Sequence, residues 1–208
     1  ILLCENNTGY QNLMKLVSEG FLTGYYYRPR IDYNLIRQHS EGLICLSACL
    51  SGDLPKLLLQ GRYDDAEAYV REMQDIFGEK NFYVEIMDHG IREEKIVMPR
   101  LISLAREMNV PLVATNDCHY LEEKDADAQE VLLCIQTGKT LDDANRMRMD
   151  TRQLYVKSED EMRTLFAACP DAVDRTQEIA DRLGISRTPV VAAVNRLTAE
   201  GYADAVPQ

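Results

Sequence analysis

Phe82-Tyr83-Val84-Glu85-Ile86, then Arg92 to Met108, then Pro111-Leu112-Val113-Ala114 is the stretch whose reading decides the fold. Both outer pieces are of strand length, and Pro111 to Ala114 is an apolar run. Between them Ile96, Val97, Leu101, Leu104 and Met108 recur at the spacing of an inward helical stripe. Strand, helix, strand in that order makes a βαβ unit, with parallel strands and a right-handed crossover. Upstream, Gly42-Leu43-Ile44-Cys45-Leu46 is another apolar run bounded by glycine, a strand buried on both faces. Further helices are expected over 12–21, 32–38 with Asp32 as N-cap, 54–59 and 64–77 closed by Gly78. More follow over 125–136, 158–166, where Ser158 and Glu161 fit a capping box, and 170–183.

In such α/β folds functional groups gather where parallel strands end. Two segments lie there: Leu46-Ser47-Ala48-Cys49-Leu50-Ser51-Gly52 and Ala114-Thr115-Asn116-Asp117-Cys118-His119-Tyr120. Asp117 and His119 are two residues apart, so an extended chain points both to one side. A carboxylate beside an imidazole suits zinc, manganese or iron, and a Cys49 thiolate would favour zinc. The spacing is equally that of a strand end capped by Asp117, with a half-buried His119 and an inert Cys49.

The 208 residues, 46% of them apolar, can bury a sizeable core. No apolar run is long enough to span a bilayer, so no membrane partner is expected. The opening residues Ile-Leu-Leu-Cys-Glu-Asn-Asn carry neither an initiator Met nor signal-peptide zones, which reads as the middle of a larger protein. Six cysteines without a C-x-x-C pair fit reduced thiols in a cytosol. A net charge of -11 excludes a broad duplex-binding face. Within residues 184–208, Arg187 and Arg196 balance Glu200 and Asp204, so residues 1–183 hold the whole excess and a seam is expected near Gly184.

Other motifs divide between two uses. Thr137-Gly138-Lys139-Thr140 ends like a phosphate loop, but Leu133 stands where the motif needs glycine. Lys139 is then a solvated loop lysine or a contact to backbone phosphate. Tyr25-Tyr26-Tyr27-Arg28-Pro29-Arg30 interleaves aromatics with cations, as single-strand nucleic-acid sites do. The competing and favoured reading packs alternate tyrosines on the core and leaves Arg28 and Arg30 in solvent. Asp88-His89-Gly90 reads as a turn with a capping role, with a ligand or proton donor at His89 as the other possibility.

Taken together, Gly9 to Leu16, Tyr26 to Asp32, Ser40 to Ile44, Leu46 to Gly52, Asp88 to Gly90, Ala114 to Tyr120 and Leu132 to Asp143 closely resemble the PHP (polymerase and histidinol phosphatase) domain of the bacterial replicative polymerase, the DNA polymerase III alpha subunit. The likeness runs from residue 1 to about 183. It implies an α/β fold, a partial PHP-type distorted (β/α) barrel with mostly parallel strands, followed by a C-terminal helical segment from residue 184. It also implies DNA-replication polymerase context and a divalent metal site (zinc, manganese or magnesium) supporting 3′ to 5′ exonuclease or phosphoesterase chemistry. Further implications are a bracing role for the polymerase core, cytoplasmic location, and DNA and replicase subunits as partners through the full-length polymerase. By motif, Cys49, Asp117 and His119 match metal positions; Tyr27, Arg28, Arg30 and Lys139 are nucleic-acid candidates. The family's early H-x-H, its T-D-H-G segment and its later Glu and His ligands are expected before Ile1, so this chain alone is expected to hold an incomplete metal set, or no metal, and to be inactive.

Residues 179–201 resemble instead the helix-turn-helix of GntR-type regulators, with Gly184 as the turn and Ser186 as the N-cap. That implies, as alternatives, a DNA-binding regulator or, if metal is absent, a non-catalytic interaction scaffold.

Overall fold

The computed structural model describes residues 1–185. Four strands, β1 (Leu2–Cys4), β2 (Leu43–Leu46), β3 (Phe82–Ile86) and β4 (Leu112–Ala114), form one sheet in the order β1-β2-β3-β4. The β2–β3 and β3–β4 pairs are parallel, with Cys45 opposite Phe82 and Val84 opposite Leu112. The partial, mostly parallel α/β barrel expected from the sequence is therefore what forms. Strand β1 was not foreseen: three residues are too few to show a period, and they pair antiparallel to β2, Leu3 opposite Ile44.

The strands alternate their side chains between two apolar layers. Leu43, Cys45, Phe82, Val84, Ile86, Leu112 and Ala114 join the larger one, with residues of α1 (Asn7–Leu22), α3 (Asp53–Leu59), α4 (Tyr63–Phe77) and α5 (Arg92–Glu107). Ile44, Leu46, Tyr83 and Val113 meet Ile179 of α8 (Pro170–Arg182) in the smaller one. Burial on both faces is why Leu43–Leu46 and Leu112–Ala114 read as continuously apolar.

The remaining helices are α2 (Tyr33–Gln38), α6 (Ala126–Thr137) and α7 (Glu159–Leu165). Asp32 caps α2 by accepting from the Leu35 N–H at 2.8 Å, and Ser158 and Glu161 form the capping box of α7. Two expectations fail. Helix α1 begins at Asn7 rather than Asn12, because Asn6 caps it by accepting from the Gly9 N–H at 3.0 Å. Ile96, expected inward, is exposed; Val97, Leu101 and Leu104 carry the stripe of α5 with Ala105.

Helix α8 is tied to the sheet by Arg182. Its guanidinium donates to Glu5 at 2.8 Å, to the Tyr83 hydroxyl at 2.9 Å and to the Lys80 carbonyl at 2.8 Å. Arg182→Ala is expected to cost about 2 kcal/mol in urea denaturation, since it strips charged hydrogen bonds from a half-buried junction. Beyond α8, Gly184 takes a left-handed φ of 64° and the Ile185 N–H bonds to Ala180 O at 2.9 Å, the turn expected there. The helix-turn-helix reading of 179–201 otherwise falls on residues outside those described, as does most of the expected 184–208 segment.

Candidate functional site

The C-terminal ends of β2, β3 and β4 each place a polar group beneath the loops that follow. After β2, the buried Ser47 hydroxyl accepts from the Glu85 N–H at 2.9 Å. Ala48 then takes a left-handed φ of 68°, a strained state for a residue with a Cβ, and turns the chain into Cys49. Cys49 is half-buried and carries a free thiol.

Glu85 is a charged residue in a strand that is otherwise apolar, and it is 2% exposed. One carboxylate oxygen accepts from the Thr115 hydroxyl at 2.5 Å; the other, Oε2, has no partner among the described residues. Burial pushes this carboxyl above its ordinary range, against the lowering effects of Thr115 and the Ala48 amide, and the charge of Asp117 adds to the rise. The sequence reading passed over Glu85, although one acid inside Phe82–Ile86 was a usable signal: Glu is almost never fully buried without a reason.

His89 is also buried, and it organises the loop after β4. Its Nδ1 lies 2.7 Å from Glu94 Oε1, and its backbone N–H donates to Glu94 Oε2 at 2.6 Å. On the other side of the ring, Nε2 accepts from the Asp117 N–H at 3.1 Å. An accepting Nε2 assigns the proton to Nδ1, so the ring donates to Glu94 from that nitrogen. Asn116 Oδ1 stands 3.1 Å from Nε2, and the Lys157 ammonium, 3.4 Å from the same oxygen, relieves that contact between acceptors. Asp88 closes the turn expected at 88–90, accepting from the Gly90 N–H at 2.9 Å. The turn read from the sequence is therefore present, but the helix-capping role is not: α5 has Ile91 at its N-cap with no side-chain cap, and His89 is a core histidine.

Asp117 and His119 do come together: His119 Nε2 is 3.4 Å from Asp117 Oδ2, both side chains partly exposed. The loop is held by the His119 N–H to Leu154 O at 2.8 Å and by Asn116 Nδ2 to Tyr155 O at 2.7 Å. Nitrogen and oxygen donors side by side suit a divalent metal. Yet among the described residues no three His, Cys, Asp or Glu side chains group so as to hold one, and Cys49 does not join the pair. The residues present supply one edge of a metal site and not a cage, so no catalytic step is derived through a metal here.

The remaining candidates sit elsewhere. Lys139 follows Gly138, which ends α6 with φ 64° and bonds from Gly138 N to Ile135 O and from Lys139 N to Cys134 O. That is a helix C-terminus and not a phosphate loop. Tyr25, Tyr26 and Tyr27 are 60%, 64% and 82% exposed, which overturns the expectation that alternate rings pack on the core.

The PHP domain family model matches residues 1–89. Over 185 residues the chain is 49% identical to the DNA polymerase III subunit alpha of Treponema pallidum, covering 89% of this chain and 16% of that protein. It is 46% identical to the subunit of Borreliella burgdorferi over 182 residues, 88% of this chain and 16% of that one. With the Thermus aquaticus subunit the identity is 45% over 182 residues, 86% of this chain and 15% of the relative. The chain thus spans about a sixth of the length of the curated relatives it matches.

Proposed function

We propose that this PHP-domain chain, a segment of the DNA polymerase III alpha subunit family, supplies one edge of a divalent-metal site and part of the scaffold that braces the polymerase core. The observation that carries this is 49% identity sustained over 89% of the chain, far beyond what a shared fold alone requires. Asp117 and His119 are the ligands proposed at β4, with Cys49 at β2 as a third family position. Zinc, manganese and magnesium are the candidate metals, and phosphodiester hydrolysis from a 3′ end is the chemistry that a completed site would serve. DNA and other replicase subunits are the partners proposed through the intact polymerase, in the cytoplasm of a bacterium. Among the described residues no helix is long and apolar enough to cross a membrane.

The fixed parts of the arrangement support positioning. The His89 ring holds the Asp117 amide, Asn116 and the Leu154–Tyr155 segment hold the loop's other end, and the pair of ligands is presented toward solvent. The test is calorimetric titration of the 208-residue chain with manganese or zinc, alongside a nucleotide-release assay on single-stranded DNA. Weak binding that disappears in Asp117→Ala and His119→Ala, with no nucleotide released, is expected. Tight binding indifferent to both changes, or metal-dependent release of nucleotides by the chain alone, would overturn the reading.

A further inference from the structure

Three consecutive exposed tyrosines need an explanation that packing does not provide. Tyr27 is 82% exposed and holds a left-handed φ of 60°, a costly state for a bulky residue. Tyr26 meets Tyr27 edge-on with centroids 4.5 Å apart, and the Arg30 guanidinium stacks 4.5 Å over the Tyr26 ring. The Tyr26 N–H donates to Arg28 O at 3.1 Å, closing a tight turn. At its base the Arg30 carbonyl lies so near Gly24 that an added Cβ would sit 1.9 Å from it. The rings are therefore presented by a pinned loop.

The loop also carries two cations. In a chain of net charge -11, Arg37, Arg62, Arg71, Arg146, Arg152, Arg163, Arg175 and Arg182 are all held in ion pairs. Arg28 and Arg30, like Arg92 and Arg148 elsewhere, are exposed and belong to no ion pair among the described residues, and they lie two residues apart beside the rings. Beside the loop runs an open groove of about 580 Å³ lined by Thr23, Gly24, Arg30 and Ile31, with the acids Glu19 and Asp32 on its wall. Both acids are engaged, Glu19 by the Thr23 hydroxyl at 2.8 Å and Asp32 by the Leu35 amide at 2.8 Å.

We propose that the Tyr25–Arg30 loop is a contact site for single-stranded nucleic acid, with Tyr26 and Tyr27 stacking on bases and Arg28 and Arg30 meeting the flanking phosphates. Every base has a face that an aromatic ring can cover, so such a site tolerates any sequence; a duplex hides those faces. Two uncompensated guanidinium groups suit a short backbone stretch and would not hold a duplex against the chain's overall negative charge. Arginine beside tyrosine also marks protein interfaces, which makes a protein partner the competing outcome.

The test is fluorescence anisotropy of a labelled short oligothymidylate titrated with the 208-residue chain in EDTA, so that failure of the metal site cannot affect it. Two phosphates neutralised on a single strand predict a slope of log K against log salt of about -1.4, falling to about -0.7 in Arg28→Ala. Tyr27→Ala is expected to weaken binding about tenfold and Tyr27→Trp to retain it. The corresponding duplex is expected to bind much more weakly. Absence of saturable binding, affinity unchanged by Tyr27→Ala and Arg28→Ala, or equal affinity for duplex would each overturn the proposal and leave the loop to a protein partner.

Discussion

Glu94→Ala is expected to lower the stability of the chain by about 3 kcal/mol, because it leaves two buried donors, the His89 backbone N–H and its Nδ1–H, without an acceptor. The Glu94 carboxylate takes both, at 2.6 Å and 2.7 Å, and no water can replace it easily where His89 is 2% exposed and Glu94 5%. The damage should spread along the ring. Nε2 of His89 is what receives the Asp117 amide, so a loosened imidazole frees the backbone of a proposed ligand. Hydrogen exchange at Asp117 should quicken in Glu94→Ala well beyond any change at Thr115, whose amide donates to the Ile86 carbonyl. Glu94→Gln keeps one acceptor oxygen and should lose about half as much. A Glu94→Ala chain with an unchanged urea midpoint would mean that the His89–Glu94 pair does not hold this loop.

The same pair sets a pH dependence of definite sign. Burial alone would raise the Glu94 carboxyl, but the hydrogen bonds from the His89 ring and backbone outweigh it, and the net direction is down. A carboxyl lowered by folding contributes stability that is present above its unfolded value and is lost as pH falls through the folded one. Glu85, raised chiefly by burial, runs the other way: its contribution is complete in acid and is lost as pH rises through the raised value. The loss of stability below about pH 4.3 should therefore be shallower in Glu94→Gln than in the parent chain, as read from urea midpoints across that range. An acid limb identical in the two would remove Glu94 as its source.

Legibility in the sequence followed the kind of signal each element gives. Strands β2, β3 and β4 announce themselves because both faces are buried, so Leu43–Leu46 and Leu112–Ala114 are unbroken apolar runs and Phe82–Ile86 is apolar but for Glu85. Caps such as Asp32 and Ser158 are local chemistry and are readable from their own residues. Strand β1 depends on partners about forty residues away, Leu43–Cys45, which no local pattern contains, whereas the early start of α1 rests on the local Asn6 cap that the reading passed over. The meeting of Asp117 with His119 was legible from their spacing. The buried ring beneath them was not, since His89 finds Glu94 by a turn and Asp117 by the parallel pairing of β3 with β4. The tyrosine run shows the converse error: a period of two suggested packing, but the segment is a turn in which no face meets the core.

Gly9→Ala is expected to destabilise the chain by about 3 kcal/mol or more, although helix propensity alone predicts a gain of about 1 kcal/mol for the same change. Gly9 lies in the first turn of α1, and a Cβ built there would stand 1.9 Å from the Gly42 carbonyl oxygen and 2.6 Å from its carbon. Both are backbone atoms, so no side chain can swing aside. Gly42 is equally committed: it takes a φ of 73°, and its own Cβ would meet Asn6 Oδ1 at 2.5 Å. Parting the two segments would strain the Glu5 N–H bond to Gly42 O at 2.9 Å and the Asn12 side-chain bond to Glu41 O at 2.9 Å. Because Gly42 leads directly into β2, the displacement should pass along Leu43–Leu46 to the loop that carries Cys49. Gly61→Ala is the control: Gly61 has the same φ of 73° but nothing within 4 Å of the added carbon, so only the backbone penalty of about 1–2 kcal/mol remains. If thermal unfolding placed Gly9→Ala at or above the parent, helix propensity would have won, and α1 could not be seated on the Glu41–Gly42 turn as closely as these contacts require.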